Sequence, residues 1–346
     1  MANPLSEKNK ASRLTRTISG IVFVCLLMPA VALGGWFYFL LILFFVTVAC
    51  HERLEAPGKG RFPLYTKLIV YFFRYLFALG GLIKSWASGN NPFTDPWYGF
   101  AVDTLFVSLF GLIAFLLILF TISIFSRKVS LNDVTYLFSM TFLIGFGFQC
   151  IYFLRFFGRS DQFKEYYLLH PKLDQRWSTC YLRVFTAVGT WICDVGAYFT
   201  GRLFGKHKRN PRVSPNKTWE GFFGGALFSR GFTLALAAFF EFVPFFSSPL
   251  LPGLRQFGYS ETLKILGLFS GQAWPLLVFA SLLSPVIGNI GGFLFSLIKR
   301  TVGIKDFGKI RPGHGGIIDR FDSLLTNAAI RSLFVLALSQ GFKVLL

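Results

Sequence analysis

The densest chemistry in the chain lies between residues 296 and 322. It reads Ser296-Leu297-Ile298-Lys299-Arg300, then Lys305-Asp306, then Lys309 and Arg311, then Gly313-His314-Gly315-Gly316, and closes on Asp319-Arg320-Phe321-Asp322. Six basic residues, three acids and one histidine fall within these 27 positions. Asp319 and Asp322 stand three residues apart at the predicted start of a helix. That spacing lets both carboxylates converge as oxygen ligands on one hard cation such as Mg²⁺. Gly313, Gly315 and Gly316 free the backbone to point N–H groups at an anion, and a helix N-terminus adds its dipole. Lys299, Arg300, Lys305 and Arg311 supply charge to match several phosphates. Basic residues alone are ordinary in a loop between membrane spans. Two acids at metal-ligand spacing beside a Gly-His-Gly-Gly turn are not explained by topology, and they point to Mg²⁺-dependent phosphate chemistry at a membrane interface.

A second segment supports the first. Asp194 sits inside an apolar run, where a carboxylate is costly unless it faces a polar cavity, a cation or a basic partner. On a helix Asp194, Ala197, Tyr198, Gly201 and Gly205 share one face. Gly201 and Gly205 also fit a small-residue packing seam, so this stripe taken alone is balanced between packing and function. Ser214-Pro215-Asn216-Lys217-Thr218-Trp219-Glu220-Gly221 follows. The stretch Gly201–Lys206 is not a P-loop: three residues rather than four separate its glycines, and His207 stands where Ser or Thr is required.

These loops must be held by membrane-embedded elements. Of 346 residues, 53% are hydrophobic and 18% aromatic, with 45 Phe and only 15% charged. A soluble domain has about 25% charged residues, so the composition excludes an ordinary soluble enzyme and a disordered chain. The expected fold is all-α: a polytopic transmembrane helix bundle of about nine spans. The apolar run Ile18–Cys50 reads as two spans hinged at Gly34-Gly35. Further spans are predicted near Leu64–Ile83, Phe100–Phe125, Asp133–Leu154, Tyr181–Phe204, Gly221–Val243, Ala273–Ile298 and Leu324–Leu338. Ala30-Val31-Ala32 imitates a signal-peptide cleavage site, but the immediate return of apolar sequence from Trp36 to Val48 argues against cleavage. The expected organisation is a basic tail (1–17), an N-terminal transmembrane region (18–180) and a C-terminal catalytic region (181–346) with cytoplasmic loops 205–220 and 299–322.

The formal charge is +19, from 35 Lys+Arg against 16 Asp+Glu. In a membrane protein this excess points to inner loops, anionic headgroups and phosphorylated substrates rather than nucleic acid. With the N-terminus cytoplasmic, 22 of the 35 basic residues fall in inner segments. The segment from Arg155 to Arg183 resists this orientation, with six basic residues on the nominally outer side. Cys25, Cys50, Cys150, Cys180 and Cys193 have no CxxC spacing and read as small buried hydrophobes.

The order Ser-x-x-Lys-Arg, four residues, Lys-Asp, then His-Gly-Gly-x-x-Asp-Arg-x-Asp resembles the motif of the phosphatidate cytidylyltransferases, also called CDP-diacylglycerol synthases. The Asp194 stripe and Ser-Pro-Asn-Lys-Thr-Trp-Glu-Gly are similar to the same family's second block. The resemblance is strong over roughly residues 190–325 and weaker at His51-Glu52. It implies a multi-pass membrane enzyme, usually a homodimer, of a bacterial inner membrane or the endoplasmic reticulum. Such an enzyme joins CTP and phosphatidic acid, with Mg²⁺ as cofactor, to give CDP-diacylglycerol and pyrophosphate at the cytoplasmic face. One departure stands out. Bacterial-type members carry Gly-Asp four residues before the motif's Ser, with the Asp helping to hold the metals. Here the position is Gly292, the acid just before Ser296 is replaced by Phe295, and Gly291-Gly292-Phe293 looks more like the eukaryotic-type branch. Asn289 or Asp194 is then the candidate source of the missing oxygen.

Joining two phosphates is limited by charge repulsion and in-line alignment, so cations and positioning should dominate. Asp319, Asp322 and Asp194 are the expected metal ligands. Lys299, Arg300 and Lys305 are expected to hold phosphates, with Asp306 orienting Lys305 or Arg311. His314 is expected in the glycine turn as a hydrogen-bonding group or a proton donor. Ser214, Lys217, Arg311, Gly315, Gly316 and Arg320 are the candidate substrate contacts. The competing activities are a CTP-dependent polyprenol or lipid-alcohol kinase, which would release CDP, and a transporter. Transport would place the polar residues at mid-membrane.

Overall fold

The computed structural model describes residues 35–87, 103–156, 180–242, 270–308 and 315–339, together with Cys25 and Pro29. Eight helices occupy them: α1 (Gly35–Glu55), α2 (Leu64–Ala87), α3 (Asp103–Phe125), α4 (Leu131–Phe156), α5 (Cys180–Phe204), α6 (Trp219–Phe242), α7 (Ser270–Thr301) and α8 (Ile318–Ser339). The expected spans after the first coincide with these helices, which bears out the all-α architecture but not the count of nine spans; most of the first lies outside the described residues. Among the described residues, four segments are long and apolar enough to cross a membrane: Phe37–Glu55, Leu131–Leu154, Trp219–Phe239 and Val278–Thr301. The β structure among the described residues is one antiparallel hairpin between α5 and α6, of β1 (Lys208–Asn210) and β2 (Ser214–Thr218). The loop expected at 205–220 is therefore an ordered ribbon.

The apolar surplus is divided between two tasks. One aromatic core joins α1, α4 and α8, where Phe45 and Phe148 lie 4.9 and 5.5 Å from the Phe321 ring. A second, around Phe73, Phe115 and Leu137, joins α2, α3 and α4. The rest of the apolar surface faces outward, as at Leu64, Leu68 and Phe72 on α2 and Phe223 and Leu227 on α6. Such faces suit hydrocarbon rather than water. Cys50, Cys150 and Cys193 are buried among these helices.

Two details place the loops. At the start of α4 the Ser130 and Asp133 side chains cap each other's backbone N–H, at 3.0 and 3.3 Å. Arg61 then binds Asp133 Oδ1 at 2.9 Å and ties the α1–α2 connection to this helix. α7 has 32 residues, which at 1.5 Å per residue gives about 48 Å, longer than a ~30 Å hydrocarbon layer. Its C-terminal turn, with Lys299 and Arg300, can therefore stand clear of the apolar zone.

Candidate active site

The first four N–H groups of a helix have no partner within it, and α8 solves this with acids from two places. Glu52, near the end of α1, is 3% exposed. Its Oε1 accepts the Ile317 N–H at 2.9 Å and its Oε2 the Ile318 N–H at 3.1 Å. A Cβ at Gly308 or Gly316 would run into the Glu52 carboxylate, so both glycines are required by close approach. Gly315 has φ of 80°, a left-handed turn that admits glycine without strain.

Asp319 closes the same turn from within. Its Oδ2 accepts the N–H of Phe307 at 2.9 Å and of Gly316 at 3.0 Å. Its Oδ1 takes the Lys299 ammonium at 2.9 Å, with both side chains largely enclosed. The end of α7, the loop through Phe307 and the start of α8 are thus locked around one carboxylate.

Asp322, one turn along α8, has different partners. Its Oδ1 accepts the Ser323 N–H at 2.6 Å. Asp322, Asp194 and the Lys217 ammonium lie within electrostatic reach of one another, and Arg320 is within reach of Asp194. Lys217 is delivered by β2 and rests 4.6 Å over the Phe293 ring. A Cβ on Gly292 would lie 2.8 Å from its Nζ, so the glycine makes room for an ammonium beside the acids. Burial pulls Lys217 below the usual lysine range, while Asp322 and Asp194 oppose that shift. Asn289, the other candidate oxygen source, donates its Nδ2–H to Pro285 O at 2.9 Å within α7.

The α5–α6 seam sets this geometry. A Cβ on Gly221 would meet Ala197 O at 2.9 Å, and one on Gly225 would meet the Ala197 Cβ at 2.8 Å. The small residues are a packing device, and by drawing the two backbones together they bring the hairpin beside Asp194. Thr218 caps α6, accepting the Gly221 N–H at 3.1 Å. Glu220 accepts the His207 N–H at 3.1 Å and closes the base of the ribbon.

The remaining candidates are placed as follows. Arg300 is exposed and donates from Nε to Val213 O at 3.4 Å, linking α7 to the hairpin. Lys305, Asp306 and Arg320 are exposed, and Ser214 is half-buried in β2. His314 and Arg311 lie outside the described residues. Two positions were missed by sequence reasoning. Glu52 was noted only for its weak resemblance, although an acid ending an apolar run is a usable signal. Arg209 gave none: its guanidinium lies 4.3 Å from the Phe222 ring and 5.0 Å from the Phe293 ring.

Among the described residues no three His, Cys, Asp or Glu side chains cluster as a ready-made metal cage. Mg²⁺ does not need one, since it usually takes one or two carboxylates and completes its shell with water and substrate phosphate. Asp194 and Asp322 are two carboxylates within electrostatic reach of each other. Asp319, with both oxygens already engaged, is suited to holding Lys299.

A helical membrane-type protein whose carboxylates and ammonium groups converge at the start of one helix is the class that fold and site define. The chain belongs to the cytidylyltransferase family, whose model matches residues 14–338. It is 29% identical over 311 residues to a phosphatidate cytidylyltransferase of Staphylococcus epidermidis, covering 90% of this chain and 94% of the relative. It is 32% identical over 311 residues to that of Staphylococcus aureus, with the same coverage.

Proposed function

We propose that the chain condenses CTP with phosphatidic acid to give CDP-diacylglycerol and pyrophosphate, as a Mg²⁺-dependent, multi-pass membrane enzyme working as a homodimer with its site at the cytoplasmic face. The observation that carries the reading is the juxtaposition of Asp194, Asp322 and Lys217 beside the Lys299–Asp319 pair, in a chain of the cytidylyltransferase family. An oxygen of the lipid phosphate forms the new bond to the α-phosphorus of CTP. The bond from that phosphorus to the β-phosphate bridging oxygen breaks, and pyrophosphate leaves with the electron pair. The lipid brings its own nucleophile, so no side chain needs to form a covalent intermediate.

The side chains therefore bind, orient and compensate charge. Lys299, held by Asp319, presents a fixed positive charge at the start of α8. Lys217 brings a second ammonium from the hairpin, and the exposed Arg300 and Lys305 extend the positive field toward water. Gly315 and Gly316 shape the turn before α8, and Arg320, His314 and Arg311 of the same sequence motif are candidate phosphate contacts. Asp194 and Asp322 would hold the Mg²⁺, which when bound supplies electrostatic stabilisation of phosphate charge. An interfacial site lets acyl chains stay in hydrocarbon while the nucleotide arrives from water.

The test is an assay of purified protein in detergent with phosphatidic acid, Mg²⁺ and CTP labelled at the α-phosphate. Label entering the lipid fraction with release of pyrophosphate, and lost in Asp322→Asn, is the expected result. Release of CDP with an isoprenoid alcohol as acceptor, and no lipid label from phosphatidic acid, would overturn the reading in favour of a kinase.

A further inference from the structure

Away from this site, two arginines are wholly enclosed. Arg53 on α1 and Arg74 on α2 are each 0% exposed. Arg53 donates from Nη1 to Thr141 Oγ1 at 2.6 Å and from Nη2 to Cys50 Sγ at 3.8 Å. Its Nε, and all three guanidinium nitrogens of Arg74, are buried without a hydrogen-bond partner among the described residues. The two cations are within electrostatic reach of each other, with Cys50, Tyr71 and Tyr75 around them.

The acids on the neighbouring elements are committed elsewhere. Glu52 caps α8, Glu55 faces His51 at 3.5 Å, and Asp133 is held by Arg61 and Ser130. Guanidinium groups stay protonated in proteins. Leaving such a charge buried and unpaired costs several kcal/mol, and two side by side compound that cost. An anion with several acceptor oxygens would satisfy these donors, and phosphate matches the fork of a guanidinium best.

The location says how that phosphate arrives. Arg74 is ten residues into α2, about 15 Å along the helix and just past the outward apolar stripe of Leu64, Leu68 and Phe72. An anion at that depth needs an apolar tail of its own. A cleft of about 540 Å³, lined by Arg61, Tyr136, Ser139 and Met140 among others, approaches from the α1–α2 connection. Tyr136, in its wall, donates its hydroxyl to the backbone oxygen of Arg53 at 2.8 Å, so the cleft runs beside the α1 backbone that carries this arginine. We propose that Arg53 and Arg74 form a binding site for the phosphate of an anionic membrane lipid, on a different flank of α1 from Glu52 and separate from the reacting site. Occupancy would brace α1, and through Glu52 the start of α8.

The test is thermal unfolding of the delipidated full-length protein in neutral detergent, with phosphatidylglycerol, phosphatidylcholine or inorganic phosphate added, alongside Arg74→Leu and Lys299→Ala. Phosphatidylglycerol should raise the midpoint of the wild type and of Lys299→Ala alike, more than phosphatidylcholine does, and Arg74→Leu should lose that rise. An equal rise in Arg74→Leu would overturn the proposal. So would a wild type that responds to none of the three, a result that stands even if the variant does not fold. A full response to inorganic phosphate alone would overturn the lipid assignment in favour of a free anion. No arm measures cytidylyl transfer, so failure here leaves the proposed reaction untouched, and the reverse also holds.

Discussion

Glu52 and Ile317 are 265 residues apart in sequence and joined by a 2.9 Å hydrogen bond that, with its neighbour to Ile318, closes the N-terminus of α8. The first described helix thereby sets where the last one begins, and with it the positions of Asp319 and Asp322.

Replacing Glu52 should therefore harm both stability and activity. Glu52→Ala orphans two buried N–H groups, each worth about 1–3 kcal/mol. The expected outcome is a clearly lowered unfolding midpoint and loss of most transfer activity, with Glu52→Gln milder because its amide oxygen still accepts one bond. Thermal unfolding and the label-transfer assay on both variants check this.

Lys299 and Asp319 should behave as one unit. Removing one partner of a buried pair is destabilising by about 3–5 kcal/mol, because the other charge is left uncompensated. Lys299→Met and Asp319→Asn should each lose most activity, and the double variant should lose far less than the sum of the two. A double-mutant cycle on unfolding free energy and on kcat/KM measures the coupling. Additive losses would show that the pair is not a unit.

Asp194 and Asp322 should set the demand for Mg²⁺. Asp194→Asn and Asp322→Asn are each expected to lower kcat by at least about 100-fold, as removal of a main electrostatic stabiliser does, and to raise the Mg²⁺ concentration needed for half-maximal rate. Titrating Mg²⁺ at saturating CTP reads this out. Unchanged Mg²⁺ dependence in Asp194→Asn would remove it from the metal site.

Lys217 should impose an alkaline limit. Its ammonium is held below the usual lysine range, chiefly by burial. As pH rises toward that range, Lys217 in the folded protein loses its proton before a lysine in the unfolded chain does. The unfolded state then binds more protons, so stability from this group rises with pH across the window. Activity that needs its positive charge falls across the same window. Lys217→Arg, which keeps the charge, should move the alkaline limb of the kcat/KM profile to higher pH, while the unfolding midpoint loses that pH dependence.

Much of the molecule was legible in the chain itself. Apolar runs of span length dictate helices, because a bilayer leaves backbone groups no partners but their own, and each described helix falls where such a run predicts one. The block from Lys299 to Asp322 was legible too, because its residue types are too unusual for a plain loop. What tertiary structure alone decided is the pairing. Asp319 and Asp322 share a helix turn, yet one holds Lys299 and two backbone N–H groups while the other lies beside Lys217 and Asp194. Hydropathy and periodicity are local quantities. Which neighbour a side chain meets depends on how α1, α5, α7 and the hairpin are rotated against α8. That rotation is set by close approaches such as Gly316 against Glu52 and Gly221 against Ala197, between residues that no local window contains together.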